Sequence, residues 1–356
     1  MKNNKYNSGE IHVGPESEDR FASSSFVDDT KKSYIAILAS ILVLVIVTCT
    51  FFVAFADVKL PVWNPIALIT TEKPDDTETP SAPVYVATEG GKGMYQMDLY
   101  SEYAILVSLS DMTTVAHKYA DEIIYPASMT KVMTITVALE LIDNFDDKYV
   151  VTKEVISQIP HDAASAGLKD YVGETISVRD ILFGISYCSG ADSVMCLLDY
   201  LGLSLEDFVA LMNEKAREIG MQSTTFGGAI GMDDENNQTT CRDIAALMAY
   251  AMENPDCVEL FGGVEYKLDY GTKTYYHSTL NTTLGYLKYT PKSVLGGKYT
   301  LIAAKSGYEI KAGRCLVSYI KSNETGEYFV LVTANATHSK YKTIEDMQTI
   351  FDEFNP

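Results

Sequence analysis

The order of apolar and polar positions divides the chain into unlike stretches. Residues 1–33 are polar, lack hydrophobic periodicity and contain Ser23-Ser24-Ser25, and are expected to form a disordered tail. Tyr34 to Ala56 (34–56) then runs without a charge, through Ile41-Leu42-Val43-Leu44-Val45-Ile46-Val47, and is long enough to span a bilayer as a helix. Residues 57–92 turn polar again, with Thr71-Glu72-Lys73-Pro74-Asp75-Asp76 and a closing Gly90-Gly91, as expected of a disordered linker.

Residues 93–356 carry the periodicities of a folded domain. Ala104 to Leu109 and Thr113 to Tyr119 have a strand pattern and turn at Asp111-Met112, which predicts a hairpin. From Ser128 onward Met129, Val132, Met133, Ile135, Thr136 and Leu139 recur at helical spacing as far as Asp143-Asn144. Further helices are predicted over Val178 to Ser186, Asp192 to Leu201, Leu205 to Ile219 and Arg242 to Asn254. Strand patterns return at Tyr299 to Ala304, Cys315 to Ile320 and Tyr328 to Ala334, before an amphipathic helix over Thr343 to Phe354. Strands at both ends with helices between them predict an α/β (α+β) domain, one sheet built from both ends and carrying an inserted helical lobe.

Composition and charge narrow the function classes. A chain of 356 residues with 47% hydrophobic positions can bury a sizeable core. Its net charge of -20 at pH 7 excludes a surface built to neutralise phosphates, so no nucleic-acid partner is expected. Lys31 and Lys32 precede the apolar run and Asp57 and Lys59 follow it, which favours a cytoplasmic N-terminus and an exported domain. Ala54-Phe55-Ala56 leaves a cleaved signal peptide as the alternative to a single-pass anchor. The anchor is preferred because the apolar run exceeds the usual length of a signal-peptide core and follows a long polar leader. Cys49 lies in the apolar run, and the other five cysteines have no CxxC pairing, so free thiols are expected and no metal or cofactor.

Candidate chemistry starts from Ser-x-x-Lys, which occurs three times: Ser128 with Lys131, Ser318 with Lys321 and Ser339 with Lys342. Ser318 lies in a strand pattern, where residues three apart point to opposite faces, and Ser339 lies in a polar loop. Only Ser128 opens a helix, where a lysine three residues on stacks over the hydroxyl. A serine nucleophile needs a base within hydrogen-bond reach, and Lys131 meets that need when burial or a second cation keeps it neutral. Ser189-Gly190-Ala191, in a turn between helices, and Lys305-Ser306-Gly307, ending an apolar strand, complete the order S-x-x-K, S-x-N-like and K-T-G-like that penicillin-binding proteins and class A β-lactamases use.

Around these triplets the chain resembles the low-molecular-mass penicillin-binding proteins of peptidase family S11, the D-alanyl-D-alanine carboxypeptidases. The resemblance runs from about residue 94 to 335. It rests on Tyr125-Pro126-Ala127-Ser128-Met129-Thr130-Lys131, Gly173-Glu174-Thr175 through Ala191-Asp192, Gly231-Met232-Asp233-Asp234, and Lys305-Ser306-Gly307-Tyr308 followed by Ala312-Gly313-Arg314-Cys315. It implies a β-lactamase/transpeptidase-like fold, an antiparallel sheet flanked by helices. It also implies that Ser128 attacks the terminal D-Ala-D-Ala bond of a peptidoglycan stem peptide, with Lys131 as base. Ser189 then relays a proton to the leaving group, Lys305 and Ser306 bind the substrate carboxylate beside Gly307, and the N–H groups of Ser128 and Tyr308 form the oxyanion hole. β-Lactam antibiotics are the implied covalent inhibitors, and the bacterial cell membrane the implied location, with the catalytic domain outside.

Departures from the family pattern set up the alternatives. Ala191 stands where the family has an Asn that contacts the catalytic lysine and the substrate. No Arg lies around Asn281-Thr282-Thr283-Leu284 to pair with the substrate carboxylate, leaving His277, Lys288 and Lys298 as the nearby cations. A catalytically weakened scaffold that binds wall peptides or partners is therefore the second reading. A β-lactamase is a third, though no deacylating Glu motif is recognised between Ser189 and Lys305.

Overall fold

The described residues of the computed structural model are 85–269, 274–276, 295–337, 339 and 341–356; the expected tail 1–33, the apolar segment 34–56 and residues 57–84 lie outside them. Among the described residues no helix is long and apolar enough to cross a membrane. Packing is already present at Tyr85, whose hydroxyl donates to Glu253 at 2.7 Å, and Ala87 is buried, ahead of the expected start at residue 93.

The chain runs through Lys92–Gly93 (β1), Tyr103–Ser108 (β2) and Thr113–Lys118 (β3) to a 3-10 turn, Ala127–Met129, and the helix Thr130–Leu141 (α1). Lys148–Val150 (β4), Lys153–Ile156 (α2), Thr175–Ser177 (β5), Val178–Cys188 (α3), Ala191–Leu201 (α4) and Leu205–Ile219 (α5) follow. Then come Cys241–Ala251 (α6), Pro255–Phe261 (α7), Glu265–Lys267 (β6) and Thr274–Tyr276 (β7). Tyr299–Glu309 (β8), Gly313–Ser322 (β9), Tyr328–Ala336 (β10) and Lys342–Phe354 (α8) close the domain.

The main sheet has the order β1-β3-β2-β10-β9-β8, so β2 and β10 join the two ends of the domain. Every neighbouring pair is antiparallel except the two-residue edge contact of β1 with β3, which is parallel. Both faces are covered, which is why β10 reads as a nearly continuous apolar run. Ile105, Val107, Val317, Val330 and Val332 pack toward the helical lobe. On the other face Leu106, Leu316, Ile320, Phe329 and Leu331 meet Ile344, Met347, Ile350 and Phe351 of α8. Burying each such side chain contributes about 1.5–3 kcal/mol, so the sheet is held from both sides.

Inside the lobe α1 is buried from Thr130 to Ala138. It is therefore a central helix and not the one-sided helix that its spacing predicted; a helix that is apolar nearly all round belongs in a core. α3 starts at a capping box in which Ser177 Oγ accepts from Asp180 N at 3.0 Å and Asp180 Oδ2 accepts from Ser177 N at 3.1 Å. The stretch predicted as one helix to Asn254 ends at Ala251, and Asn254 caps a second helix with Pro255 at its start.

Candidate active site

The segment bearing Ser128 is bent before it becomes helical. Ala127 has φ +46°, a left-handed value rare for a residue with a side chain, and Ser128 sits in the 3-10 turn just before α1 and not in its first turn. Two glycines admit this bend. A Cβ on Gly307 would lie 2.7 Å from both Ser128 N and Ala127 Cβ, and one on Gly231 would lie 2.2 Å from Ala127 O. Strand β8 and the loop around Gly231 thus touch the Ser128 segment through positions where only a hydrogen fits.

Lys131, one turn on and 1% exposed, donates from Nζ to Ser128 Oγ at 3.2 Å and to the carbonyl of Ile230. Burial pushes its ammonium down to about 7, against the opposing pull of the Glu309 and Asp192 carboxylates. The cause expected from sequence was burial or a second cation, and burial dominates. Lys305, fully buried on β8, donates to Ser189 Oγ at 3.0 Å and to Ser306 O at 2.8 Å. Burial pushes it well down, and the like charge of Lys131 adds to the effect.

Ser189 caps α3 at φ +56°, in a turn where Gly190 N donates to Gly184 O at 3.0 Å. The fold therefore brings Ser128, Lys131, Ser189, Lys305 and Gly307 together from three separate parts of the sequence. Ser306 is half-buried beside them, and Tyr308, 56% exposed, carries the Arg314 guanidinium over its ring at 4.4 Å. Strand β8 does not end at Ala304 as predicted: Lys305 pairs with Val317, Gly307 with Cys315 and Glu309 with Gly313, so the whole Lys-Ser-Gly triplet lies within the ladder. Two neighbouring protonatable amines, each bonded to a serine hydroxyl and kept from water, can accept a proton from one hydroxyl and return it through another.

Other candidates fall elsewhere. Ser318 is buried within β9, and Lys342 is paired with Glu345 at 2.8 Å. Lys298 donates to Asn355 at 2.7 Å, at the opposite end of β8 from Lys305, while His277, Lys288 and Asn281-Thr282-Thr283-Leu284 lie outside the described residues. Asp234 caps its own loop through Asn236 N at 2.8 Å. Among the described residues Cys188, Cys196, Cys241, Cys257 and Cys315 are in no disulfide.

Asp192 has a role that the sequence did not disclose. Its buried carboxylate accepts from Ser165 Oγ at 2.5 Å, from Ala166 N at 2.8 Å and from Gly167 N and Leu168 N, both at 2.9 Å. This ties the 165–168 loop to the start of α4, next to Ala191, whose N–H donates to Ala164 O at 2.7 Å. An acid in a first helical turn was visible; the loop it holds was not.

Comparison with known proteins identifies the family. Residues 91–337 match the S11 peptidase family model, described as D-alanyl-D-alanine carboxypeptidase. The D-alanyl-D-alanine carboxypeptidase DacF of Bacillus subtilis is 25% identical over 270 residues, covering 75% of this chain and 66% of that protein. The D-alanyl-D-alanine carboxypeptidase DacC of Escherichia coli is 34% identical over 154 residues, 40% of this chain and 37% of the relative. The alignments thus span about two thirds of one relative and little more than a third of the other. The Streptomyces K15 DD-transpeptidase structure superposes with TM-score 0.62 at 23% identity, over 72% of this chain and 97% of that one, a likeness of fold. With the family model matched over well more than half of its length, the chain belongs to the D-alanyl-D-alanine carboxypeptidases of family S11.

Proposed function

We propose that the protein is a serine-type D-alanyl-D-alanine carboxypeptidase that removes the terminal D-alanine from peptidoglycan stem peptides through an acyl-enzyme on Ser128. The observation that carries this reading is the 3.2 Å bond between Lys131 Nζ and Ser128 Oγ, made by a lysine that burial pushes down to about 7. Ser128 Oγ bonds to the carbonyl carbon of the D-Ala-D-Ala link as its proton passes to Lys131. The C–N bond then breaks, and the departing amine takes a proton by way of Ser189, which Lys305 orients. The N–H groups of Ser128 and Tyr308 hold the oxyanion, a device worth about 2.7–4 kcal/mol per donor. Water releases the shortened peptide.

A β-lactam offers the same carbonyl geometry and stays attached, so penicillin acylates Ser128. Residues 34–56 anchor the chain in the bacterial cell membrane, with residues 57–84 as the spacer and the domain that is packed from Tyr85 onward outside. Ala191 supports a second reading, a weakened scaffold that binds wall peptides without efficient turnover. A methyl group replaces an amide, and a lost hydrogen bond to a charged partner costs about 1.5–3 kcal/mol.

Fluorescent-penicillin labelling of wild type, Ser128→Ala and Lys131→Ala, run beside D-alanine release from a pentapeptide ending in D-Ala-D-Ala, tests both readings. Labelling and release in the wild type alone are expected. Labelled Ser128→Ala protein overturns the nucleophile, and labelling without release selects the scaffold.

A further inference from the structure

The Lys131 ammonium that forms during acylation has no partner carboxylate within the Ser-Lys-Ser-Lys set. Strand β8 supplies one nearby. Its ladder with β9 is regular from Lys305 to Glu309, so Lys305, Gly307 and Glu309 point to the same face, while Ser306 and Tyr308 point to the other. That shared face is the one on which Lys305 reaches Ser189 and Gly307 abuts Ser128 N. Two residues beyond Gly307, about 7 Å along the strand, Glu309 stands half-buried at the end of the site.

The loop on the other side of Lys131 leads to the same place. Ile230 O accepts from Lys131 Nζ, Gly231 touches Ala127 O, and Asp233 Oδ2 accepts from Lys311 N at 2.8 Å, just past Glu309. The charges that act on Lys131 through space are those of Glu309, Asp192 and Lys305, and those that act on Glu309 are Asp233, Asp162 and Lys131. Asp192 is committed to the 165–168 loop, and Asp162 is exposed and screened by water. Glu309 is the carboxylate left to answer the lysine.

We propose that Glu309 is a positioning residue for Lys131, holding the ammonium that appears when Ser128 gives up its proton and so setting the pH at which acylation begins. The inference rests on the reading of Lys131 as the base. In the step concerned the Ser128 proton moves to Lys131 Nζ, Oγ bonds to the lactam carbonyl carbon, the C–N bond breaks, and the proton passes to the freed nitrogen. Glu309 exchanges no atom. Burial and its acidic neighbours raise its own carboxyl above the ordinary value, while the nearby lysine lowers it in turn.

The test is the second-order rate of acylation of the full chain by fluorescent penicillin, followed from about pH 5 to about pH 9, where the acid limb reports the free enzyme's base. Glu309→Gln removes the charge and keeps the shape. Without that charge the neutral lysine is favoured at lower pH and binds the proton less well, so the acid limb is expected to move down by about half to one unit and the plateau to fall several-fold. Glu309→Asp is expected to restore the limb. A limb that Glu309→Gln leaves in place, or one that Glu309→Asp fails to restore, overturns the inference alone. A wild-type profile with no acid limb overturns the base assignment and the inference with it. Thermal unfolding of each variant separates a lost fold from a moved limb.

Discussion

At Gly307 a hydrogen stands where any other residue would place a carbon 2.7 Å from Ser128 N and Ala127 Cβ. Neither neighbour can yield cheaply, because one is backbone and the other is the only side-chain atom of a residue already at positive φ. Gly307→Ala should therefore push β8 off the Ser128 segment. A displacement of about 1 Å at a reacting centre costs about 100-fold, so penicillin labelling should slow by at least that much, with about 1–3 kcal/mol of stability lost in urea titrations. Unchanged labelling would mean the two segments do not meet there. The residues that the fold gathers at the candidate site were legible because each triplet is contiguous and the three occur in order. What made them work was not. The strain at Ala127 and the contact at Gly307 are relations between segments far apart in the chain, and no local pattern encodes them.

Elements with a strong period were read closely. Leu205–Ile219 is observed with the predicted bounds, because Ser204 caps it and Gly220 ends it in a left-handed turn. Strand β8 outran its prediction because pairing with β9 overrode the weak strand preference of Ser306 and Gly307. The short strands β4, β5, β6 and β7 were missed, since three residues give no period to count. The start of α4 makes the point in energetic terms. Asp192 gathers three backbone N–H groups of the 165–168 loop, and Asp192→Ala would leave them buried or half-buried without their acceptor. Each unsatisfied group costs about 1–3 kcal/mol, partly relieved where water can enter. A loss of about 2–4 kcal/mol is expected in urea unfolding, greater than that of an ordinary helix cap. A loss below about 1 kcal/mol would mean that the loop finds other partners.

Over the whole molecule the site opposes the fold that holds it. The amine of Lys131 is lowered in the folded state from 10.5 to about 7. A lysine lowered on folding contributes stability above its unfolded value, and that contribution is lost as pH falls toward the folded one. Near neutrality the buried amine has therefore given up nearly all of it. Lys131→Met should abolish penicillin labelling, raise stability by about 1–3 kcal/mol at neutral pH, and flatten the rise in stability between about pH 7 and about pH 10. Urea midpoints at both ends of that range decide it, and a destabilised, equally pH-dependent variant would remove the argument.

The sheet order bears on how the molecule reaches this state. Strand β2 pairs with β10, and Asp346 of α8 accepts from Tyr100 N, a residue 246 positions earlier. Contacts at that separation close late, after most of the loop entropy has been lost, and sheets dominated by them fold slowly. The lobe with Ser128 and Lys131 lies between the two halves of the sheet, and β8 with Lys305 belongs to the later half. A chain still being synthesised therefore contains Ser128 long before it contains the strand that completes its surroundings. On the proposed mechanism reactivity is timed by chain length, because Lys305 and Gly307 meet the Ser128 segment only once β8 is in place.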